Sequence, residues 1–194
     1  GGKLDFVTAG ASSYGTIQTS GTAIQVDGGD VTIGAGKITS NNGSAVVANS
    51  GNVTVEKGGI KDVTTPEISS TGASSIAVGN GAELTVSSGN ISNNDGKPAI
   101  SVAENATLKI PTESTAQITT SNENGQAIDL AGGSKVQKGD TTITVGADGD
   151  SYVGNDGSII LGAGSSVTDP NGTTELPNGG SVDQDGDVTQ NALP

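Results

Sequence analysis

The stretch GTAIQVDGGDVTIGAGKITSNN (21–42) decides the fold. Its apolar residues fall in short pieces, Ile24/Val26, then Val31/Ile33, then Ile38 alone, with polar residues between. Alternation with period two puts one face of an extended strand inside and the other outside. Each piece is too short for a helix and is bounded by Gly or Asn, which supply tight turns and positive φ.

The unit recurs in GSAVVANSGNVTVEKGGIKDV (43–63), SSIAVGNGAELTVSSGNISNND (74–95) and KPAISVAENATLKI (97–110). The first pieces are Ile24/Val26, Val46/Ala48, Ile76/Val78, Ile100/Val102, Ile128/Leu130 and Ile159/Leu161. The second are Val31/Ile33, Val53/Val55, Leu84/Val86, Leu108/Ile110 and either Ile143/Val145 or Val136. The third is a single residue, Ile17, Ile38, Ile60, Ile91, Ile118 or Val153. One such unit cannot bury its apolar side alone, so units must stack. The expected fold is therefore all-β, a single-stranded parallel β-helix of about six coils with three short strands per coil. At ~4.8 Å per coil the rod is on the order of 30 Å long. Residues 1–161 are assigned to the β-helix and 162–194 to a C-terminal cap or linker. DVTTPEISST (62–71) reads as an inserted loop, and AGGSKVQKGDTT (131–142) as a second insertion.

Composition narrows the chemistry. The chain of 194 residues carries 21 acidic and 8 basic residues for a net charge of −13, with 32 Gly and no His, Cys, Met or Trp. All the basic residues are lysine. Without His or Cys there is no His-based triad, no cysteine nucleophile and no zinc site of nitrogen and sulfur ligands. An acidic chain without Arg is a poor match for nucleic acid, whose binding depends on phosphate neutralisation. No apolar run is long enough for a membrane-spanning helix. The acidic, Cys-free composition rich in Gly, Ser, Thr and Asn points to the extracellular side, secreted or on a bacterial cell surface.

The A-I-x-V, V-T-I and G-x-I-x-x-N-x-G series at 23–26, 31–33 and 36–43 resembles the right-handed parallel β-helix modules of bacterial surface and secreted proteins, the pectate-lyase-like and autotransporter-passenger-like group. The resemblance covers about residues 4–161. It implies a module of a larger surface protein, and families of this kind include adhesins, polysaccharide lyases, glycosidases and carbohydrate-binding modules. Fold alone selects none of them.

The expected function is non-catalytic, structural display or adhesion, with a possible glycan or cell-surface protein as partner. A carbohydrate-binding module and a degenerate polysaccharide lyase or glycosidase are the alternatives. Pro66, Glu67 and Ile68, in the inserted loop, are the candidate ligand-binding residues, because loops on rigid scaffolds carry recognition. Asp148, Asp150 and Asp156 are the candidate metal residues, with calcium as the ion. The Asp183/Asp185/Asp187 run starts like a calcium loop but lacks its closing Glu, so solvated turns explain it. Asn41/Asn42, Asn93/Asn94 and Asn122/Asn124 fall near one corner and read as a stacked amide ladder. No other cofactor is implied.

Overall fold

Short strands that each bury one side must find partners far along the chain, and they do so one coil later. The structure, a computed structural model, describes residues 15–58, 64–122, 125–147 and 150–192. Phe6, Tyr14, Ile60, Asn124 and Asp148 lie outside the described residues. The described chain is all-β, with no helix.

The corner strands β1 (Thr16–Thr19), β3 (Lys37–Ser40), β5 (Glu67–Ser70), β8 (Asn90–Asn93) and β11 (Gln117–Thr120) form a five-stranded parallel sheet. Its register aligns Ile17, Ile38, Ile68, Ile91 and Ile118. A second sheet holds the other two pieces of each coil. Strands β2 (Ile24–Ile33) and β4 (Val46–Val55) run through both pieces. Later coils split them into β6 (Ile76–Val78) and β7 (Glu83–Val86), β9 (Ile100–Val102) and β10 (Thr107–Ile110), β12 (Gln126–Leu130) and β13 (Lys135–Lys138). These also pair in parallel, aligning Ile24, Val46, Ile76, Ile100 and Ile128 in one column and Val31, Val53, Leu84, Leu108 and Val136 in another. Most of these aliphatic side chains are buried in one continuous core. β-branched residues suit such stacking because their stiff side chains pack on a pleated surface. On the outer side of the second column Thr32, Thr54 and Thr85 line up and are followed by Lys109, whose ammonium meets Glu83 at 2.7 Å.

The structure corrects the sequence reading in several places and settles one alternative it left open. The third-column residue of the second full coil is Ile68, not Ile60: Ile68 is 0% exposed and pairs with Ile38 and Ile91. The insertion therefore lies between β4 and β5 rather than at 62–71, and Gly58 and Thr64 exchange backbone hydrogen bonds of 3.0 and 2.9 Å. Of the two alternatives left open for the second column, Val136 follows Leu108, and Ile143 comes one level later, paired antiparallel with Val136. Parallel coiling ends at β13, so the six-coil parallel rod to residue 161 is not what forms. Strands β14 (Thr141–Thr144), β15 (Ser151–Gly154) and β16 (Ile159–Leu161) are antiparallel to their neighbours, and Val153 sits against Ile128 rather than Ile118. Strands β17 (Ser165–Asp169), β18 (Gly172–Leu176), β19 (Gly180–Val182) and β20 (Val188–Gln190) extend the same sheet, which crosses position 161 without a break.

The Asn ladder is replaced by a mixed polar column. Ser40, Ser70, Asn93 and Thr120 occupy one inward register position and are nearly inaccessible. Ser40 Oγ donates to the Gly21 carbonyl at 2.7 Å and accepts from the Gly43 N–H at 3.0 Å. The Asn93 amide donates to Ser70 Oγ and the Ala73 carbonyl and accepts from the N–H groups of Asp95 and Lys97. Polar residues belong there because the corner's backbone groups would otherwise be buried without partners.

Candidate functional site

The outer side of the first column is the longest continuous surface the register builds. Between the inward pairs Ile24/Val26, Val46/Ala48 and their successors, each strand turns its middle residue outward. Gln25, Val47, Ala77, Ser101 and Asp129 follow one another in parallel pairing. The row continues through the antiparallel strands as Tyr152, Ile160, Ser181 and Thr189. All are partly or fully exposed. Small side chains at Ala77 and Ser101 leave a shallow cleft of about 300 Å³, with Val47 at one end and Asp129 at the other. Tyr152, directly across from Asp129, is the aromatic side chain among the described residues.

Asp129 is the electrostatically distinct residue of this row. Partial burial raises its pKa above the ordinary aspartate value, and the negative charge of Asp150 adds to the rise, against a hydrogen bond from the Leu130 N–H. A carboxyl raised in the folded state binds its proton there while the unfolded chain has released it. Stability is then lost as pH climbs from the ordinary aspartate value through the raised one. We expect Asp129→Asn to melt higher than the parent at about pH 7 and to lose that advantage at about pH 3, where the carboxyl is protonated in both states. Thermal melts of the two proteins at both pH values check this, and an advantage equal at both would remove Asp129 as the cause.

Asp27, Asp30 and Asp183 are committed to local structure. Asn49 Nδ2 donates to Asp27 Oδ1 at 2.6 Å, and Asn52 Nδ2 to Asp30 Oδ1 at 2.7 Å, tying one coil to the next. The amides of Asn49 and then Gln25 hold Asp27 below the usual carboxylate range. Asp183 Oδ1 accepts from the N–H groups of Asp185 and Asp187, which makes that run a closed turn.

The residues singled out in the sequence do not converge. Glu67 is exposed and faces Lys37 at 3.4 Å, a pair of small energetic weight. Pro66 is buried and its carbonyl accepts from the Asn90 N–H at 2.8 Å. Ile68 points into the core, so this segment is a structural strand rather than a displayed loop. Asp150 and Asp156 flank β15 at opposite ends, separated by extended strand of about 13 Å, so they cannot share one cation. Asp156 instead accepts from the Ser158 N–H at 3.0 Å and hydroxyl at 2.7 Å, which lower its pKa. Among the described residues no three metal-ligating side chains come together. The row through Tyr152 was missed in the sequence because it depends on the direction of β15 and β16, which alternation does not encode.

No family model, no curated protein and no solved structure matches this chain.

Proposed function

We propose that the chain is a parallel β-helix module, its larger sheet continued at the C-terminal end by antiparallel strands, that works outside the cell without catalysis in display or adhesion. It would belong to a larger bacterial surface protein. The observation that carries the recognition reading is the outward row from Gln25 to Thr189, with its cleft at Ala77 and Ser101. Neighbouring strands are ~4.8 Å apart, so the row offers evenly spaced contacts to an elongated ligand, and weak contacts summed along a polymer give avidity. A net charge of −13 favours neutral or cationic partners.

A carbohydrate-binding role is the second reading, favoured by Tyr152 beside Asp129. An aromatic ring covers a sugar face, and a carboxyl next to it accepts hydrogen bonds from hydroxyls.

The test is a screen of the purified chain on immobilised glycans and matrix proteins, with Ala77→Arg as the control that fills the cleft. Specific retention that falls at least about tenfold in Ala77→Arg supports recognition by this row. Retention unaffected by that substitution places the ligand elsewhere, and no retention leaves the module a spacer. Release of shortened chains from a bound polysaccharide would overturn the non-catalytic reading.

A further inference from the structure

The core column that runs through the corner sheet is left open at one end. Ile38 is 1% exposed and Ile68 and Ile91 are 0% exposed, but Ile118, in the last strand, is only partly buried. The first and second columns continue past that level through β15 and β14, whereas nothing pairs with β11 on its far side among the described residues. A cleft of about 340 Å³ lies there, floored by Ile110, Ile118, Ala127, Ile128, Val136 and Ile159. It has the size of a ligand pocket, and it sits where the next isoleucine of the column would be.

The backbone edge beside this cleft is set up for a strand. The N–H groups of Gln117 and Ser121 point back to Gly89 and Asn93 on the β8 side. Alternation then turns the N–H and C=O of Ile118 and Thr120 to the open side. At Thr120 a side chain imitates a neighbouring strand: Asn155 Oδ1 accepts from the Thr120 N–H at 3.0 Å and Asn155 Nδ2 donates to the Thr120 C=O at 3.2 Å. The next rung, Ile118, faces the apolar cleft. The buried Thr120 hydroxyl, last in the polar column, has no hydrogen-bond partner.

We infer that this edge binds an extended segment of another polypeptide, running parallel to β11, which places a branched aliphatic side chain in the cleft and pairs with Ile118. The occupant follows from continuity with the existing ladder. Each strand of the corner sheet presents Ile at this register, flanked by polar residues, as in TIQT, KITS, EISS, NISN and QITT. A second copy of this chain does not fit, because its own coil would have to enter the layer already filled by β14 and β15. Addition of a strand to a sheet edge takes affinity from the main chain and specificity from a side-chain pocket. In parallel pairing the Ile118 C=O accepts from the N–H of the residue that follows the incoming aliphatic one, as the existing ladder dictates.

The probe is a fluorescein-labelled peptide with the sequence of residues 115–121, Thr-Ala-Gln-Ile-Thr-Thr-Ser, titrated with the full chain. We expect a saturable rise in anisotropy with Kd of about 1 mM or tighter. Asp in place of the peptide's Ile should weaken it at least about tenfold. N-methylation of the residue after that Ile should abolish binding, whereas N-methylation of the Ile itself should not. Asn155→Ala, which frees the Thr120 rung, should tighten binding about threefold or more. Absence of saturable binding to both the parent and Asn155→Ala overturns the inference, as does equal binding of the Ile and Asp peptides. The reverse N-methylation pattern overturns the parallel geometry. Concentration-dependent self-association that the peptide competes away would make the occupant a second copy and overturn the assignment to another polypeptide.

Discussion

Replacing Ile91 with Asp should unfold the protein at room temperature, and Ile68→Asp should do the same. Both side chains are 0% exposed in the corner column, each between isoleucines of the coils before and after. The substitution removes a buried aliphatic side chain, a change that alone costs about 2–5 kcal/mol. It then leaves a carboxyl with no partner in an apolar site, which either ionises at high cost or holds a proton to neutral pH. The sum is more than about 5 kcal/mol, comparable with the whole stability of an ordinary domain. Ile91→Val, which keeps the branch and drops one methylene, should cost only about 0.5–1.5 kcal/mol. Urea denaturation followed by far-ultraviolet circular dichroism separates these outcomes. The Ile68 variant carries the sharper information: if it folded normally and lost only a binding activity, the loop reading of Pro66–Ile68 would return and the register of β5 would be wrong.

The columns were legible because each coil repeats the same alternation, and burying an apolar face permits one register only. What misled at Ile60 was local spacing. The step from Val55 to Ile60 equals the step from Ile33 to Ile38, yet the chain goes on to Ile68 before it re-enters the corner sheet. A better signal was present in the residues after the isoleucine. ITSNNG (38–43), ISSTG (68–72) and ISNNDG (91–96) each follow Ile with polar residues and then Gly, because the second position after Ile joins the buried polar column and the Gly turns the corner. IKDV (60–63) does not fit that pattern.

Strand direction past residue 138 was harder to read, since an antiparallel strand alternates just as a parallel one does. The punctuation held the information. Gly139-Asp140 between two alternating runs is a hairpin signal, and Gly139 takes φ 58° there. Asp156-Gly157 plays the same part between β15 and β16, with Gly157 at φ 83°. The outward row and the open end of the corner column follow from those reversals, so neither candidate surface could be assembled from the coil pattern alone.

Gly51→Ala should be far more damaging than Gly81→Ala, its control at the equivalent turn of the next coil. Both glycines sit in the turn between the first and second pieces of their coils, at φ 83° and φ 75°. An L residue there costs about 1–2 kcal/mol from its own backbone. At Gly81 nothing lies within 4 Å of an added Cβ, so that is the whole penalty expected. At Gly51 the Cβ would run onto the Gly29 carbonyl oxygen of the preceding coil and stand 2.8 Å from the Gly29 nitrogen and 2.9 Å from the Gly28 carbonyl carbon. These are backbone atoms fixed by the β2–β4 ladder, which pairs Asp27 with Ser50 and Asp30 with Asn52 on either side of the turn. The only relief is to separate the two coils, which stretches ladder hydrogen bonds and the Asn49–Asp27 and Asn52–Asp30 side-chain bonds with them. Overpacking of this kind adds about 1–3 kcal/mol, so Gly51→Ala should lose roughly 2–5 kcal/mol in all. Paired urea melts of the two variants measure the difference, which isolates coil-to-coil contact from the shared backbone strain. Equal losses at Gly51 and Gly81 would mean that the first two coils do not approach this closely at the turn. A larger loss at Gly51 shows that the ladder between β2 and β4 sets how closely the corners meet.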